Sequence, residues 1–453
     1  MKLLPDRDAK RRTKEIYALA QFVLENPNIK ASDMQKNENL TPTCRTSYFY
    51  YLNEAIENGW IQRNGNTRAV RYSATDQFAH HEAMVNLSRP VANREKIRYQ
   101  PEFLHSYEPN ETFYLSENQR KSLNAACGKG AFNAGDSRVA KQVRRFMADL
   151  THNSSAFEGV DIKYADTISF LEKNIKSRHM SINDAVILRN HYNAIRFVID
   201  NAHYPAQETD VSVTAYDTRN IHAYLSDGLL EDKRQQGRLR YSHVEIRESA
   251  YIPPDIPGVI QHEFEMMMNK AQKIKDPYEQ AVFLLIHIPY QQPFDDCNKR
   301  TSRLVCNIPL LKSGILPVSW AEVNHRDYTD SLLCIYEKNS TYGLCDVFVE
   351  ACKRSFERFE ISLAHREPTR LEITHSVQIK DSVRRRILHG DSSLPRDLDP
   401  LKVGEYEVLV HEILAGIREN EFVASPYDLR GHHVQAWLTQ EAADAAPKDI
   451  PFE

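Results

Sequence analysis

Residues 292–303 read QPFDDCNKRTSR, a polar stretch between two apolar ones. The sequence before it, from Asp276 to Ile288, predicts a buried helix that ends at Pro289. The sequence after it, from Thr301 to Lys312, predicts a second helix. A polar loop that runs into a helix N-terminus can bind an anion, because the free N–H groups of the first turn and the helix dipole face the loop. We therefore expect a helical domain with a phosphate site.

Composition places the chain among ordinary globular proteins. Its 453 residues exceed the usual size of one hydrophobic core, so we expect two or three domains. The seven cysteines are scattered and form no C-x-x-C pair, which predicts reduced thiols and no zinc site. No apolar run approaches the roughly 20 residues of a membrane span, and no signal peptide opens the chain. We expect a cytoplasmic protein that does not enter a membrane.

The hydrophobic periodicity predicts a mainly α protein in four parts. Residues 1–75 contain three helical patterns and two short strands, the order of a winged helix-turn-helix. Residues 76–115 lack strong periodicity and are predicted to be a linker that packs as an arm. Residues 116–362 form an all-helical core with one strand-like interruption, a β-hairpin flap, at 241–252. Residues 363–453 predict short helices, with a polar end from Glu441 that we expect to be disordered.

The first part resembles the winged helix modules of bacterial regulators, which place their third helix in the major groove of DNA. Residues 1–75 hold about 12 basic and about 8 acidic residues, although the whole chain has a net charge of -4. The candidate DNA contacts are Arg45, Thr46, Ser47, Tyr50, Arg63, Arg68 and Arg71. Contact with a protein, such as a second copy in a homodimer or an antitoxin-like partner, is the alternative.

The polar loop resembles the signature of the Fic/Doc family, H-x-F-x-[DE]-G-N-G-R-x-x-R, and matches it at Phe294, Asp296, Asn298, Arg300 and Arg303. Fic proteins bind ATP and transfer AMP to a hydroxyl of a target protein. The resemblance implies that Phe294 plugs the loop into the core, that Asp296 holds Mg²⁺ on the phosphates, and that Asn298 and the loop amides bind phosphate oxygens. Arg300 and Arg303 would neutralise the outer phosphates. An ordinary ion-pair cluster at a helix N-terminus is the alternative.

Three positions depart from this signature. Gln292 stands at the place of the catalytic histidine, and Cys297 and Lys299 replace the two glycines, where they would still line the nucleotide. The N-K-R sequence resembles the Doc branch, whose members phosphorylate their targets. An amide can orient a hydroxyl, but it has no titratable nitrogen near neutral pH and cannot act as a general base. His287 lies five residues earlier and does not match the signature position.

Ser154 and Glu158 match a second Fic pattern, [ST]-x-x-x-E-[GN]. In the family this glutamate pairs with the second signature arginine and displaces the last phosphate of the nucleotide. Residues four apart in a helix lie on one face, so both could face the loop. We expect a contact between Glu158 and Arg303; a solvated helix glutamate is the alternative.

The strand-like stretch at 241–252 lies where Fic proteins carry a flap that aligns a target segment by strand addition. Tyr241, His243, Val244 and Ile246 are the candidate docking residues. His243 could approach the nucleotide, although a lone histidine in such a flap is more often a polar surface residue. The resemblance covers roughly residues 80–360 and includes Ser88-Arg89-Pro90, in the arm of a subgroup with glutamine at the first signature position.

Three functions follow as hypotheses. The first is an ATP-binding protein that transfers AMP to a target hydroxyl, with slow turnover because Gln292 replaces the base. A Doc-like transfer of phosphate is a variant of it. The other is a catalytically silent regulator that senses ATP and binds DNA through residues 1–75.

Overall fold

The computed structural model describes residues 7–37, 40, 45–65, 70–127, 137–202, 213–321, 323–364, 371, 374–395, 398–419, 427, 429 and 431–445. The chain divides into two compact units, Met1–Leu363 and Ala364–Glu453. Helices dominate both, so the predicted mainly α class is confirmed. No helix in these ranges combines the length and apolar character that crossing a membrane requires.

The first unit opens with three helices and a hairpin, in the predicted order. The helices are α1 (Arg7–Glu25), α2 (Ala31–Met34) and α3 (Arg45–Glu57). Strand β1 (Ile61–Asn64) pairs antiparallel with β2 (Arg71–Ala74), and Ile61 lies opposite Ala74. Apolar side chains of α1 and α3, including Leu19, Val23 and Leu52, form a small core with Ile61. We call residues 7–74 the N-terminal module; its identity as a DNA-binding winged helix stays a prediction.

The segment predicted as a linker contains a helix instead. Thr75 caps α4 (Asp76–Leu87) by accepting a hydrogen bond from the amide of Phe78. Phe78 is buried in the core of the N-terminal module. Further along this arm, β3 (Ile97–Arg98) and α5 (Glu102–His105) pack on the helical core. The linker prediction was therefore wrong over 76–87, because the weak periodicity of α4 reflects a helix with contacts on two sides.

The helical core surrounds one buried helix, α12 (Pro277–Gln291). Asp276 caps it by accepting from the amides of Tyr278 and Glu279, and Pro277 occupies its first turn. Pro289 lies inside the last turn, so the helix continues past the predicted end to Gln291, and the left-handed Gln292 caps it. The other helices of this part are α6 (Glu117–Ala126), α7 (Ser137–Ala156), α8 (Tyr164–Lys173), α9 (Ile182–Ala202), α10 (Ala215–Ser226), α11 (Pro257–Lys273), α13 (Asn298–Val305), α14 (Asn307–Lys312), α15 (His325–Lys338) and α16 (Tyr342–Ala364).

The flap is not the predicted hairpin. Within 241–252 only β4 (Tyr251–Ile252) is a strand, and it pairs parallel with β3 of the arm. Residues 241–250 follow an irregular path and are mostly exposed. A strand needs a neighbour for its backbone N–H and C=O groups, and in the described structure the arm supplies one only at Ile97–Arg98. We call residues 241–250 the flap from here on.

The second unit contains α17 (Ser376–His389), α18 (Val403–Glu419) and α19 (Gly431–Ala445). Apolar side chains from all three helices share one core, and the Ser382 hydroxyl hydrogen-bonds to that of Tyr406 at 3.0 Å. The helical prediction is confirmed for these residues. The expected disorder from Glu441 was wrong as far as Ala445, which ends α19, and residues 446–453 lie outside the described residues.

Candidate functional site

The signature loop connects α12 to α13 and is fixed at both ends by left-handed residues. Gln292 has φ 49° and Cys297 has φ 60°. The amide group of Asn298 braces the loop between them: its oxygen accepts from the Phe294 amide at 3.0 Å, and its nitrogen donates to the Phe294 carbonyl at 2.8 Å. Asn298 is buried and its side chain braces the loop; its predicted contact with phosphate stays a prediction.

Phe294 anchors the loop in the core, as the family resemblance implied. Its ring is fully buried and stacks on His222 of α10 at a centroid distance of 3.9 Å. The Nδ1 of His222 accepts from the Gly237 amide at 3.0 Å, and its Nε2 donates to the Asp296 carbonyl at 3.2 Å. Burial lowers the pKa of His222 to about 4, so it stays neutral and keeps this tautomer at neutral pH.

Arg303 and Glu158 form the contact that the sequence predicted. The Arg303 side chain is 0% exposed, and its Nη2 donates to Glu158 Oε1 at 2.6 Å. Its remaining donors reach the Ser154 hydroxyl at 3.2 Å, the Ser154 carbonyl at 3.1 Å and, more distantly, the Tyr328 hydroxyl at 3.5 Å. Each nitrogen of this guanidinium therefore has a protein partner while Glu158 stays in place.

Arg300 joins Glu158 to the loop. Its Nε lies 3.5 Å from Glu158 Oε2, and its Nη2 donates to Asp296 Oδ2 at 2.9 Å. Burial alone would raise the pKa of Glu158, but the charges of Arg303 and Arg300 outweigh that effect and lower the pKa to about 2. Glu158 is therefore ionised throughout the physiological range and pairs with both arginines.

A cavity of about 170 Å³ lies between the flap and the signature loop. Its walls include Glu158, Arg300 and the exposed Lys299, together with Val244 and Ile246 of the flap. Ligand pockets usually measure roughly 300–1,000 Å³, so this one is small for a nucleotide. Glu158 forms part of its wall, and its withdrawal would enlarge the space beside Arg303.

A family model described as the Fic/DOC family matches residues 212–310, which contain the flap and the signature loop. The chain contains a Fic domain. Curated relatives include a protein adenylyltransferase Fic from Culex quinquefasciatus, 26% identical over 249 residues, or 54% of this chain and 46% of the relative. Another is protein adenylyltransferase fic-1 from Caenorhabditis elegans, 23% identical over 195 residues, or 42% of this chain and 37% of the relative. The chain spans less than half the length of these relatives.

A solved structure of a Fic family protein from Desulfovibrio desulfuricans G20 is also similar. It is 16% identical, covers 70% of this chain and 91% of its own, and has a TM-score of 0.45. A Fic domain protein from Bacteroides thetaiotaomicron is 17% identical, covers 55% of this chain and 96% of its own, and has a TM-score of 0.41.

Gln292 of the Fic domain has its amide group fully engaged in the loop. Its nitrogen donates to the Pro289 carbonyl at 2.7 Å, and its oxygen accepts from Asn298 at 2.9 Å. His287 does not replace it, because that ring is fully buried in α12 and hydrogen-bonds to the Tyr114 hydroxyl at 2.7 Å. Burial lowers the pKa of His287 to about 3. The structure thus places no histidine of the signature region where a base would stand.

The start of the flap is attached to the signature loop by Arg240, a residue that the sequence analysis missed. Its Nε donates to the Gln292 carbonyl at 2.6 Å, and its Nη1 donates to the Ser242 carbonyl at 2.7 Å. Its Nη2 donates to the Pro254 carbonyl at the far side of the flap. The Ser242 hydroxyl also donates to Asp295 of the loop. Hydrogen bonds therefore connect the flap to the signature loop.

Two of the predicted docking residues, Val244 and Ile246, line both the cavity over the loop and a cleft against the arm. Tyr241 is 76% exposed. His243 lies 3.8 Å from Glu245 and lines the cleft against the arm. His243 does not line the cavity over the loop.

His191 of α9 is a further site residue that no sequence pattern indicated. Its Nδ1 donates to the Ile187 carbonyl at 2.9 Å, and its Nε2 has no hydrogen-bond partner among the described residues. Burial, together with the positive charges of Arg300 and Arg303, lowers its pKa to about 3. His191 is therefore a neutral neighbour of the arginine pair. The sequence did not indicate this position, because His191 lies far from the loop along the chain and belongs to no motif.

The candidate DNA contacts are only partly described. Tyr50 is exposed beside Arg12, whose guanidinium lies over its ring at 4.3 Å, and Arg63 is exposed on β1. Arg71 is half-buried on β2. Arg45, Thr46 and Ser47 lie in α3 with side chains outside the described part, and Arg68 lies outside the described residues. The DNA-binding hypothesis stays a prediction.

Proposed function

We propose that this Fic-domain protein binds ATP and transfers AMP to a hydroxyl of a target protein, and that Glu158 holds the site in an inhibited state. The observation that carries the proposal is the 2.6 Å contact between Glu158 and the fully buried Arg303 beside the signature loop. A guanidinium presents planar, forked donors that suit a phosphate, and Arg303 lies on α13, which follows the loop. The names of the curated relatives support transfer of AMP.

Three cationic groups would bind the phosphates. The N-terminus of α13 faces the cavity, and Lys299 and Arg300 lie on its first turn. Arg303 becomes available when Glu158 leaves, because the shortest hydrogen bond of its guanidinium is the one that it donates to the Glu158 carboxylate. The order of events is then withdrawal of Glu158, binding of the outer phosphate by Arg303, and entry of the target hydroxyl past the flap.

The cavity also fits a magnesium ion bound with the nucleotide. Asp296 has a side chain that is 60% exposed at the cavity wall, and Mg²⁺ usually takes one or two carboxylates together with substrate phosphates. Asp296 accepts hydrogen bonds from Arg300 and from the Cys297 amide, and its carboxylate oxygens keep further lone pairs for a cation. A bound ion would supply charge neutralisation on the phosphates.

The position of the signature histidine offers no base for the proton of the target hydroxyl. Gln292 has no titratable nitrogen near neutral pH, and its amide is held by Pro289 and Asn298. Phosphoryl chemistry depends mainly on positioning and charge, so transfer can proceed slowly without a base. We expect a loss of about 10²- to 10⁴-fold in rate relative to a site with a histidine.

The decisive experiment incubates four forms of the protein with ATP labelled at the α or the γ phosphate, in a lysate. The forms are the parent, Glu158→Gly, Gln292→His and the double variant. We expect faint α labelling of protein by Glu158→Gly and strong α labelling by the double variant. Labelling from the γ phosphate instead would indicate a Doc-like phosphotransferase. No labelling by any form, together with no ATP binding, would refute the nucleotide site.

A catalytically silent regulator is the second candidate, and the locked amide of Gln292 favours it. In that case the core would sense ATP, and the N-terminal module would bind DNA through Arg63 and its neighbours. Gel-shift titrations of the parent and of Arg63→Ala at two salt concentrations test this candidate, since phosphate contacts give a steep salt dependence. Absence of any gel shift at low salt would rule out DNA binding. A lower oligomer mass for a variant of the N-terminal module than for the parent would indicate that the module forms a dimer. Point variants are preferable to deletion of residues 1–75, because deletion would expose Phe78.

A further inference from the structure

The far end of the flap is held by a buried ion pair between Arg94 of the arm and Glu337 of α15. Their side chains are 8% and 0% exposed, and Arg94 Nη1 donates to Glu337 Oε1 at 3.0 Å. Arg94 Nη1 also donates to the carbonyl of Glu248 in the flap at 3.1 Å. Its other nitrogens donate to the Leu87 and Arg89 carbonyls at 2.8 Å each. The guanidinium therefore joins α4, the arm and the flap.

Glu337 makes the complementary set of contacts. The Ser249 hydroxyl and the Ala250 amide, both in the flap, donate to Oε1 at 3.0 Å each. Asn86 of α4 donates to Oε2 at 3.0 Å. A buried carboxylate is tolerated only when such partners compensate its lost hydration. We call Arg94 and Glu337 the flap clamp.

The clamp connects directly to the end of α12. The residue after Ala250, Tyr251, stacks on Tyr336 at 5.6 Å and donates its hydroxyl proton to the Tyr290 carbonyl at 2.7 Å. Tyr290 lies two residues before Gln292. Since Arg240 fixes the start of the flap to Gln292, both ends are attached to the signature region, and the middle, 244–247, spans the cavity.

We propose that Arg94 and Glu337 are positioning residues that fix the end of the flap, so that residues 244–247 present a target segment to the signature loop. The presentation of a target rests on the proposed function; the fixing of the flap does not. Neither residue lines the nucleotide cavity, so their loss should weaken use of the target and leave binding of ATP unchanged. The contact of Asn86 with Glu337 also joins the clamp to α4 and hence to the N-terminal module.

Limited trypsin digestion of the full chain tests the clamp without requiring activity. Arg247 is an exposed trypsin site within the flap, and Arg303 is a fully buried one that reports unfolding of the core. In Arg94→Met and Glu337→Gln we expect cleavage after Arg247 to accelerate about 10- to 100-fold, which corresponds to the loss of one or two charge-assisted hydrogen bonds. Cleavage after Arg303 should stay slow. Ser249→Ala removes a single contact and should give a smaller acceleration.

Arg326→Met is the matched control, because Arg326 lies on the same helix as Glu337, is 87% exposed and pairs with Asp330 one turn away. It should leave both cleavage rates unchanged. Unchanged cleavage after Arg247 in both clamp variants would overturn the proposal. A parallel rise at Arg247 and Arg303 would overturn it too, because the pair would then stabilise the whole core.

A second measurement addresses presentation of the target. Arg94→Met is combined with Glu158→Gly and Gln292→His, and α-labelled transfer into lysate protein is compared with ATP affinity. We expect labelling to fall about 10-fold and the Kd for ATP to change less than about 2-fold, a loss confined to target positioning. Equal losses of labelling and affinity would contradict the presentation role. If the background double variant labels nothing, the proposed function fails, and the trypsin result still decides the clamp.

Discussion

Replacing Glu158 by glutamine tests the ion pair with Arg303 most directly, because the substitution keeps the shape of the side chain and removes its negative charge. The pKa of Glu158 falls from 4.5 to about 2 in the folded protein. At about 1.4 kcal/mol per pKa unit, this shift corresponds to a stabilisation of about 3 kcal/mol. Breaking a buried ion pair from one side costs about 3–5 kcal/mol, the same range. We therefore expect Glu158→Gln to lower the free energy of unfolding by about 3 kcal/mol at pH 7.

The sign of the pH dependence follows from the direction of the pKa shift. A carboxyl whose folded pKa is depressed stabilises the protein fully above its unfolded pKa, and this stabilisation is lost as the pH falls toward the folded pKa. The difference between parent and variant should therefore be constant from pH 8 to about pH 5. It should shrink between about pH 4.5 and pH 2, where the unfolded chain binds the proton first.

Urea unfolding followed by fluorescence measures this difference at the site itself. Trp320 is buried, and its Nε1 donates to the Arg303 carbonyl at 3.4 Å. The chain has three tryptophans, so Trp60→Phe with Trp437→Phe leaves Trp320 as the single reporter. Saturating ATP should restore about 3 kcal/mol to the variant at 100 times its Kd, since phosphate replaces the carboxylate. A variant as stable as the parent at pH 7, or a difference that persists unchanged to pH 3, would refute the reasoning.

Three further predictions concern the packing around the loop. Gly237→Ala should lose about 2 kcal/mol of unfolding free energy, because φ is +69° and a Cβ would lie 2.9 Å from a backbone carbonyl; Gly258→Ala, with open space, is the control and should lose none. His222→Phe keeps the ring but removes two buried hydrogen bonds, so urea unfolding should show a loss of about 2 kcal/mol. Burial raises the pKa of Cys297 to about 12, so its thiol should resist iodoacetamide at pH 8 until urea is added, as mass spectrometry would show; rapid native labelling would contradict this.

The signature loop and its glutamate were predictable because their chemistry leaves a mark in residue types. An apolar run followed by a polar loop predicts α12 and the helix N-terminus of α13, and the structure has both. Glu158 was predicted from the family pattern [ST]-x-x-x-E-[GN], although it lies 145 residues before Arg303, the residue that it contacts. The hydrogen bonds by which Asn298 braces the loop were not predictable, because a sequence does not show which partners a buried amide has.

The arm and the flap were misjudged for a different reason. Helix α4 turns one side to the N-terminal module through Phe78 and another to α15 through Asn86, so its apolar residues do not follow a single helical stripe. The flap contains β-branched and aromatic residues that favour a strand, but strand pairing is a tertiary property. Only the two residues opposite Ile97–Arg98 obtained a partner.

The three arginines that assemble this site differ in what a sequence can disclose about them. Arg303 donates to a side-chain carboxylate, and the receiving residue type is therefore restricted. Arg240 donates to the carbonyls of Gln292, Ser242 and Pro254. Three of the four hydrogen bonds of Arg94 likewise go to main-chain carbonyls, and the fourth goes to Glu337. Every residue carries a backbone carbonyl, so the receiving end of such a contact places no constraint on the sequence. The roles of Arg240 and Arg94 in holding the flap over the loop can therefore be recognised only in the folded chain. The sequence predicted the contact of Glu158 with Arg303 but not these two.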